Sequence, residues 1–219
     1  LAGNIPPELR DLRQLQRLLL YDNHLTGPIP SELGNLAALK ELTLCSYQLS
    51  GTIPAELGNL TALLGLYLNV NKLSGPIPVE LGRLAVLEHL DLGGNELTGH
   101  LPPQVGDLGP LQSLSLINNK LGGTIPAELG KLTALLRLYL NVNELSGHIP
   151  RELGALSELR GLNLGQNKLE AGSIPPELGK LAATEYLSLS QNQLTGNIRP
   201  ELGELRQLQR LLLHDNHLT

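Results

Sequence analysis

Residues 63–84 read Leu-Leu-Gly-Leu-Tyr-Leu-Asn-Val-Asn-Lys-Leu-Ser-Gly-Pro-Ile-Pro-Val-Glu-Leu-Gly-Arg-Leu. Leu66 and Leu68 alternate with Gly65, Tyr67 and Asn69, the period-two pattern of a short strand with one buried face. Asn71 follows where the chain leaves that strand. Its amide carries donors and an acceptor, so it can pair with backbone groups that the turn would otherwise bury unsatisfied. Gly75 permits a backbone angle that side chains resist, and Pro78 fixes its own angle and donates nothing, which suits a strand start or a rim. Glu80-Leu81-Gly82 then reads as a short helical or 3-10 turn, stopped by its glycine.

The same unit recurs along the whole chain. Asparagines fall on a beat of 24 residues, once 25, at Asn23, Asn71, Asn95, Asn119, Asn143, Asn167, Asn192 and Asn216, with Tyr47 on the one missed beat. The length of 219 residues is nine such units and three residues over. Leu is about a quarter of the chain, while Phe, Trp and Met are absent. A core of such uniform composition implies one small packing unit used repeatedly rather than an irregular globular interior. Successive strands then stack as a parallel sheet, the ladder of asparagines is structural, and the Glu-Leu-Gly turns lie on the outer face.

This spacing, LxxLxLxxNxLxGxIPxELGxL, resembles the leucine-rich repeat family in its plant-receptor subtype, whose mark is the LxGxIP segment. The resemblance implies an α/β solenoid with a right-handed superhelix, a parallel sheet on the concave face and 3-10 or helical turns on the convex face. One solenoid of about nine repeats is expected over residues 1–219, with partial repeats and no capping unit at either end. Uncapped ends expose leucines, so oligomers through the ends are an expectation, as is early backbone exchange there.

Departures from the repeat stand out. Lys168 to Gly172 carries one extra residue, which should bulge a loop and leave the strands undisturbed. Thr184 replaces a leucine, Val105 another, Arg199 the proline and Tyr47 the ladder asparagine. These read as drift, with the Tyr47 ring expected to turn outward. Residues 51–71 return almost unchanged as 123–143, and 13–20 as 206–213, the trace of block duplication.

The third, fifth and seventh residue of each repeat should project from the concave face. Four of the five tyrosines do so: Tyr21, Tyr67, Tyr139 and Tyr186. His89, Asp91, Ile117 and Arg137 join them as candidate binding residues, since Tyr and Arg bring contact area with a polar handle at little ordering cost. Nine strands at the usual spacing make a face about 40 Å long, with Tyr67 and Tyr139 about 14 Å apart. A protein or peptide laid across the strands would set apolar groups on the tyrosines and a basic group over Asp91.

His89, Asp91, Ser113 and Ser115 hold the residue types of a serine hydrolase, but an open face offers no pocket, nucleophile turn or oxyanion donors. Two metal ligands on a flat face are too few. The expectation is a non-enzyme with no cofactor and no metal. Sixteen Lys and Arg against 21 Asp and Glu give a scattered net charge of −5, unlike a nucleic-acid surface. The sequence has no apolar run of membrane-spanning length.

Similar repeats occur in plant receptor kinases, in polygalacturonase inhibitors and in algal arrays attached to ROCO-type GTPases. The resemblance therefore implies a recognition module of a larger signalling or immune-type protein, with a receptor or inhibitor ectodomain, or a ligand-free structural array, as alternatives. Cys45 is the only cysteine and Asn59-Leu60-Thr61 the only glycosylation sequon. The missing cysteine-pair caps and leader pattern lean toward an intracellular setting, with Cys45 an exposed, inert thiol.

Overall fold

The computed structural model of the chain describes residues 2–45, 48–170 and 172–219; the expectation for Tyr47, and Ala171 of the 168–172 insertion, lie outside them. Nine three-residue strands pair in parallel, in chain order, into one sheet. They are Arg17–Leu19, Glu41–Thr43, Gly65–Tyr67, His89–Asp91, Ser113–Ser115, Arg137–Tyr139, Gly161–Asn163, Tyr186–Ser188 and Arg210–Leu212, called the first to ninth strands here. The register aligns equivalent residues, so the central leucines, from Leu18 through Leu114 to Leu211, form one row. That row is buried from Leu18 to Leu187, and Leu211 in the ninth strand is 41% exposed. The apolar core is Leu and Ile throughout, apart from Val105.

The asparagine ladder takes up the backbone at each turn. Asn95 donates from Nδ2 to the Leu68 and Leu92 carbonyls, both at 3.0 Å, and its Oδ1 accepts the Leu73 N–H at 3.1 Å. Each amide thus rivets its repeat to the one before. Asn71, Asn119, Asn143, Asn167, Asn192 and Asn216 repeat the pattern, and Asn23 donates to the Leu20 and Tyr21 carbonyls. The residue before the ladder asparagine lies in the left-handed region, at φ 56° for Val70 and 59° for Val142. A β-branched side chain is strained there.

The LxGxIP segment does more than start a rim. Two- to four-residue strands at Ser50–Gly51, Lys72–Gly75 and Glu96–Leu97 pair in parallel, as do those at Gly122–Thr124, Glu144–Gly147 and Lys168–Leu169. Isolated bridges at Gly27↔Leu49 and His100↔Gly122 continue this second sheet. Gly75 holds φ 76° within it, as expected of that glycine. The 25-residue repeat leaves the nine-stranded register intact, Gly161 pairing with Tyr186. In the second sheet, Lys168–Leu169 pairs only backward among the described residues, and Thr195–Gly196 pairs only with His217–Leu218.

The outer face carries five-residue 3-10 helices such as Val79–Arg83 and Ala127–Lys131. The glycine expected to stop each turn lies inside it instead. A Cβ on Gly82 would stand 2.6 Å from the Gln104 carbonyl oxygen of the next repeat, so this glycine sets how closely successive turns stack. Asn59 is exposed at the end of Ala55–Asn59, and Thr184 is fully buried with its hydroxyl donating to the Leu159 carbonyl at 2.7 Å. Arg199 caps Pro200–Glu204 at the proline position; its Nη2 donates to Ser173 Oγ at 2.6 Å, and its buried Nε finds no partner among the described residues.

Candidate recognition face

The strands turn their alternate side chains away from the leucine core, and the register sorts them into rows. One row runs Tyr67, Asp91, Ser115, Tyr139 across the third to sixth strands, and the row beside it runs Gly65, His89, Ser113, Arg137. Tyr67 and Tyr139 therefore share a row three strands apart. Tyr21 is 53% exposed, Arg137 is exposed, and His89, Asp91, Ile117, Tyr139 and Tyr186 are half-buried.

The rings are held by their neighbours. Tyr67 stacks on His89 with centroids 6.3 Å apart and planes at 26°, and the Arg210 guanidinium sits 5.4 Å from the Tyr186 ring centroid. A Cβ placed on Gly65 would be 2.7 Å from Tyr67 Cε2, and one on Gly161 would be 2.8 Å from the Tyr139 hydroxyl. Tyr67 thus lies back over its own strand. Tyr139 has Arg137 at the equivalent place and leans across to the next strand. Burial, and then the charges of Glu41 and Asp91, raise the Tyr67 phenol above its ordinary pKa.

Asp91 turns one carboxylate oxygen onto its own turn, Oδ1 accepting the Gly93 N–H at 3.0 Å. Among the described residues His89 has no hydrogen bond to Asp91 or to either serine; its ring is committed to Tyr67. Cys45 differs from expectation. It is half-buried, its thiol donates to Asn69 Oδ1 at 2.8 Å, and burial, then the Asp91 charge, push its pKa up to about 11. Asn141, the duplicate of Asn69, neighbours Ile117 instead of a thiol, and its buried Oδ1 has no partner among the described residues.

Two clefts on this face escaped the sequence reading. One of 340 Å³ spans the first four strands and is lined by Gln16, Arg17, Lys40, Glu41, Leu64, Gly65, Tyr67 and His89. The other, of 320 Å³, lies over the sixth to ninth strands, between Asn141, Asn163, Tyr186, Ser188, Gln191 and His214 among others. The first is walled partly by the residue just before each strand (Gln16, Lys40, Leu64), a position that simple alternation leaves out. An Arg17 Nε to Glu41 Oε2 ion pair of 2.7 Å crosses its floor; being exposed, it contributes little stability.

Comparison with protein-family models matches residues 66–171 to a leucine-rich repeat region, and residues 14–36 and 184–205 to the single leucine-rich repeat. No curated protein sequence matches. Among solved structures, the plant peptide hormone receptor RGFR1 in complex with RGF2 is 37% identical with a TM-score of 0.97, over 99% of this chain and 35% of that one. The ectodomain of the Arabidopsis receptor kinase HAESA, in complex with an N-terminally extended IDA peptide hormone, is 37% identical with a TM-score of 0.93, over 99% and 36%. A plant ice-binding protein is 34% identical with a TM-score of 0.85, over 99% and 69%. The chain spans about a third of the length of the two receptors. These structures lend no support to the intracellular lean drawn from the lone cysteine, nor to a ROCO-type or immune setting. No helix among the described residues is long and apolar enough to cross a membrane.

Proposed function

Since the chain belongs to the leucine-rich repeat family, we propose that it is a non-catalytic recognition module that takes an extended peptide or protein segment across its concave sheet. The observation that carries this reading is the division of labour between the faces. The solenoid closes its backbone through buried asparagines and its core through Leu and Ile. On the concave face Tyr67, His89 and Tyr186 line clefts, and Tyr21 and Arg137 are exposed, so none of them belongs to that core or ladder. Exposed aromatics and arginines in that arrangement are the usual anchors of binding energy. Similarity to two receptors solved with peptide hormones supports the peptide class and an extracellular setting, as one section of a longer receptor-type chain.

The test is a displayed random-peptide library selected on the folded protein, followed by calorimetry of a selected peptide on variants. Tyr67→Ala combined with Tyr139→Ala should weaken binding by about 2 kcal/mol or more, and Glu80→Ala on the convex side should leave it unchanged. Equal losses from the two changes would refute the reading.

A second reading rests on one observation. Thr26, Ser50, Ser74 and Thr98 stand at equivalent positions of four successive repeats along the second sheet, a regular hydroxyl row in a chain similar to a plant ice-binding protein. Ice recrystallisation in its presence decides this: inhibition that is lost in a Ser50→Lys, Ser74→Lys variant supports it, and unaltered ice growth with the unchanged protein dismisses it.

A further inference from the structure

Block duplication placed two copies of the segment Tyr-Leu-Asn-Val on the concave face, at residues 67–70 and 139–142. Their surroundings have diverged in a way that specifies a ligand. At the first copy, Gly65 and Leu64 stand beside Tyr67, and the ring, His89 and Leu64 wall the 340 Å³ cleft. Its one arginine is already paired to Glu41 and its one lysine, Lys40, is exposed, so the part of the seat walled by Leu64, Tyr67 and His89 favours an apolar side chain. At the second copy, Arg137 occupies the place of Gly65 and Arg160 leads into the adjoining strand, where Gly161 pairs with Arg137. Both arginines are exposed, and neither makes an ion pair among the described residues. Arg210 lies over Tyr186 two strands further on. Glu185, the only acid among the residues that lead into or form the fifth to ninth strands, stands beside Arg160 at the equivalent position of the next repeat, its N–H donating to the Arg160 carbonyl at 2.8 Å, but its exposed carboxylate makes no ion pair with that arginine.

The geometry points to a bipartite peptide: an apolar side chain seated beside Tyr67 and a carboxylate side chain held by Arg137 and Arg160. The two seats are three strands apart, about 14 Å, which an extended backbone rising about 3.3 Å per residue crosses in roughly four residues. Charge-assisted, two-point contacts from guanidinium groups to a carboxylate give both orientation and selectivity. This inference rests on the recognition reading above and names its substrate class.

The experiment uses synthetic Ser/Ala decapeptides carrying one Leu and one Glu, separated by one to eight residues in either order, with Gln replacing Glu in a matched set. Fluorescence anisotropy against the full chain should show binding about tenfold tighter at a separation near four than at one or eight, in at least one order. The Gln set should lose that gain, and the Arg137→Ala, Arg160→Ala protein should bind Glu and Gln peptides alike. Because both arginines are exposed, the fold does not depend on them. The Glu-against-Gln comparison on the unchanged protein gives the same answer without any variant. Peptides that bind with no preference for spacing or for Glu overturn the inference and leave the recognition reading standing. Failure of every peptide in the series, alongside failure of the random library, overturns both.

Discussion

Tyr67 lies over Gly65 of its own strand, whereas its duplicate Tyr139 lies over Gly161 of the following strand. The pair began as copies, and the exchange of Gly65 for Arg137 at the equivalent position sends the second ring to a different seat. Gly65→Ala places a methyl group 2.7 Å from Tyr67 Cε2, a contact that a mobile ring can relieve. We expect a stability loss below about 1 kcal/mol together with loss of the Tyr67–His89 stack. The His89 ring proton shifts in NMR spectra report the second effect; unchanged shifts would show that the ring does not depend on the bare glycine.

Val70 and Val142 sit at φ 56° and 59°, while the fifth repeat carries Asn118 at the same place with φ 55°. Asparagine tolerates that region and valine does not. Each Val→Asn change should stabilise the chain by about 1 kcal/mol, and the two should add, since the sites lie three repeats apart. Denaturant midpoints of the single and double variants check both the sign and the additivity.

Asn95→Ala removes two donors and one acceptor from buried backbone groups of two repeats. The Leu68 and Leu92 carbonyls keep a second donor in Asn71 and Asn119, so the Leu73 N–H, left without its acceptor, sets the cost, about 1–3 kcal/mol. An Asn95→Ala variant as stable as the parent would show that the ladder is not structural.

The Cys45 thiol holds its proton up to a pKa of about 11, against an ordinary value of 9.0. At pH 8 its thiolate is about 100-fold scarcer than that of an ordinary thiol, so disulfide reagents should modify the folded chain about that much more slowly than the unfolded one. The folded state binds this proton more tightly than the unfolded state. The associated stability is therefore complete below pH 9 and is lost as pH rises toward 11. Cys45→Ser should flatten stability across that window.

Arg199 stands where other repeats have proline, at φ −76°, an angle proline accepts. Arg199→Pro also removes the buried, unpartnered Nε. It should stabilise by about 0.5 kcal/mol or more, read as a rise in Tm.

The repeat, the core and the asparagine ladder were legible because each is carried by identical residues at a fixed interval. Other features depend on neighbours that a single repeat does not contain. The second sheet forms from pairs such as Ser50–Gly51, which have no alternation and become strands only against the next repeat. Gly82 reads locally as a stop; its role appears only beside Gln104 of the following turn. The left-handed position is filled by Asp22, Val70, Asn118 and Gln166, residues with no common chemistry to mark it. On the recognition face, the rows of side chains followed from strand alternation. The clefts, the Tyr67–His89 stack and the Cys45–Asn69 bond did not, because they depend on which residue the neighbouring strand presents.

In the proposed function the concave sheet, rather than the convex turns or the second sheet, contacts the partner. Hydrogen exchange with and without a peptide selected from the random library reads this directly. We expect added protection within Gly65–Tyr67, His89–Asp91, Ser113–Ser115 and Arg137–Tyr139 and their following turns, with none in Val79–Arg83 or Ala127–Lys131. Protection centred on the 3-10 turns, or on Lys72–Gly75 and its partners in the second sheet, would place the partner on another face and refute recognition by the concave sheet.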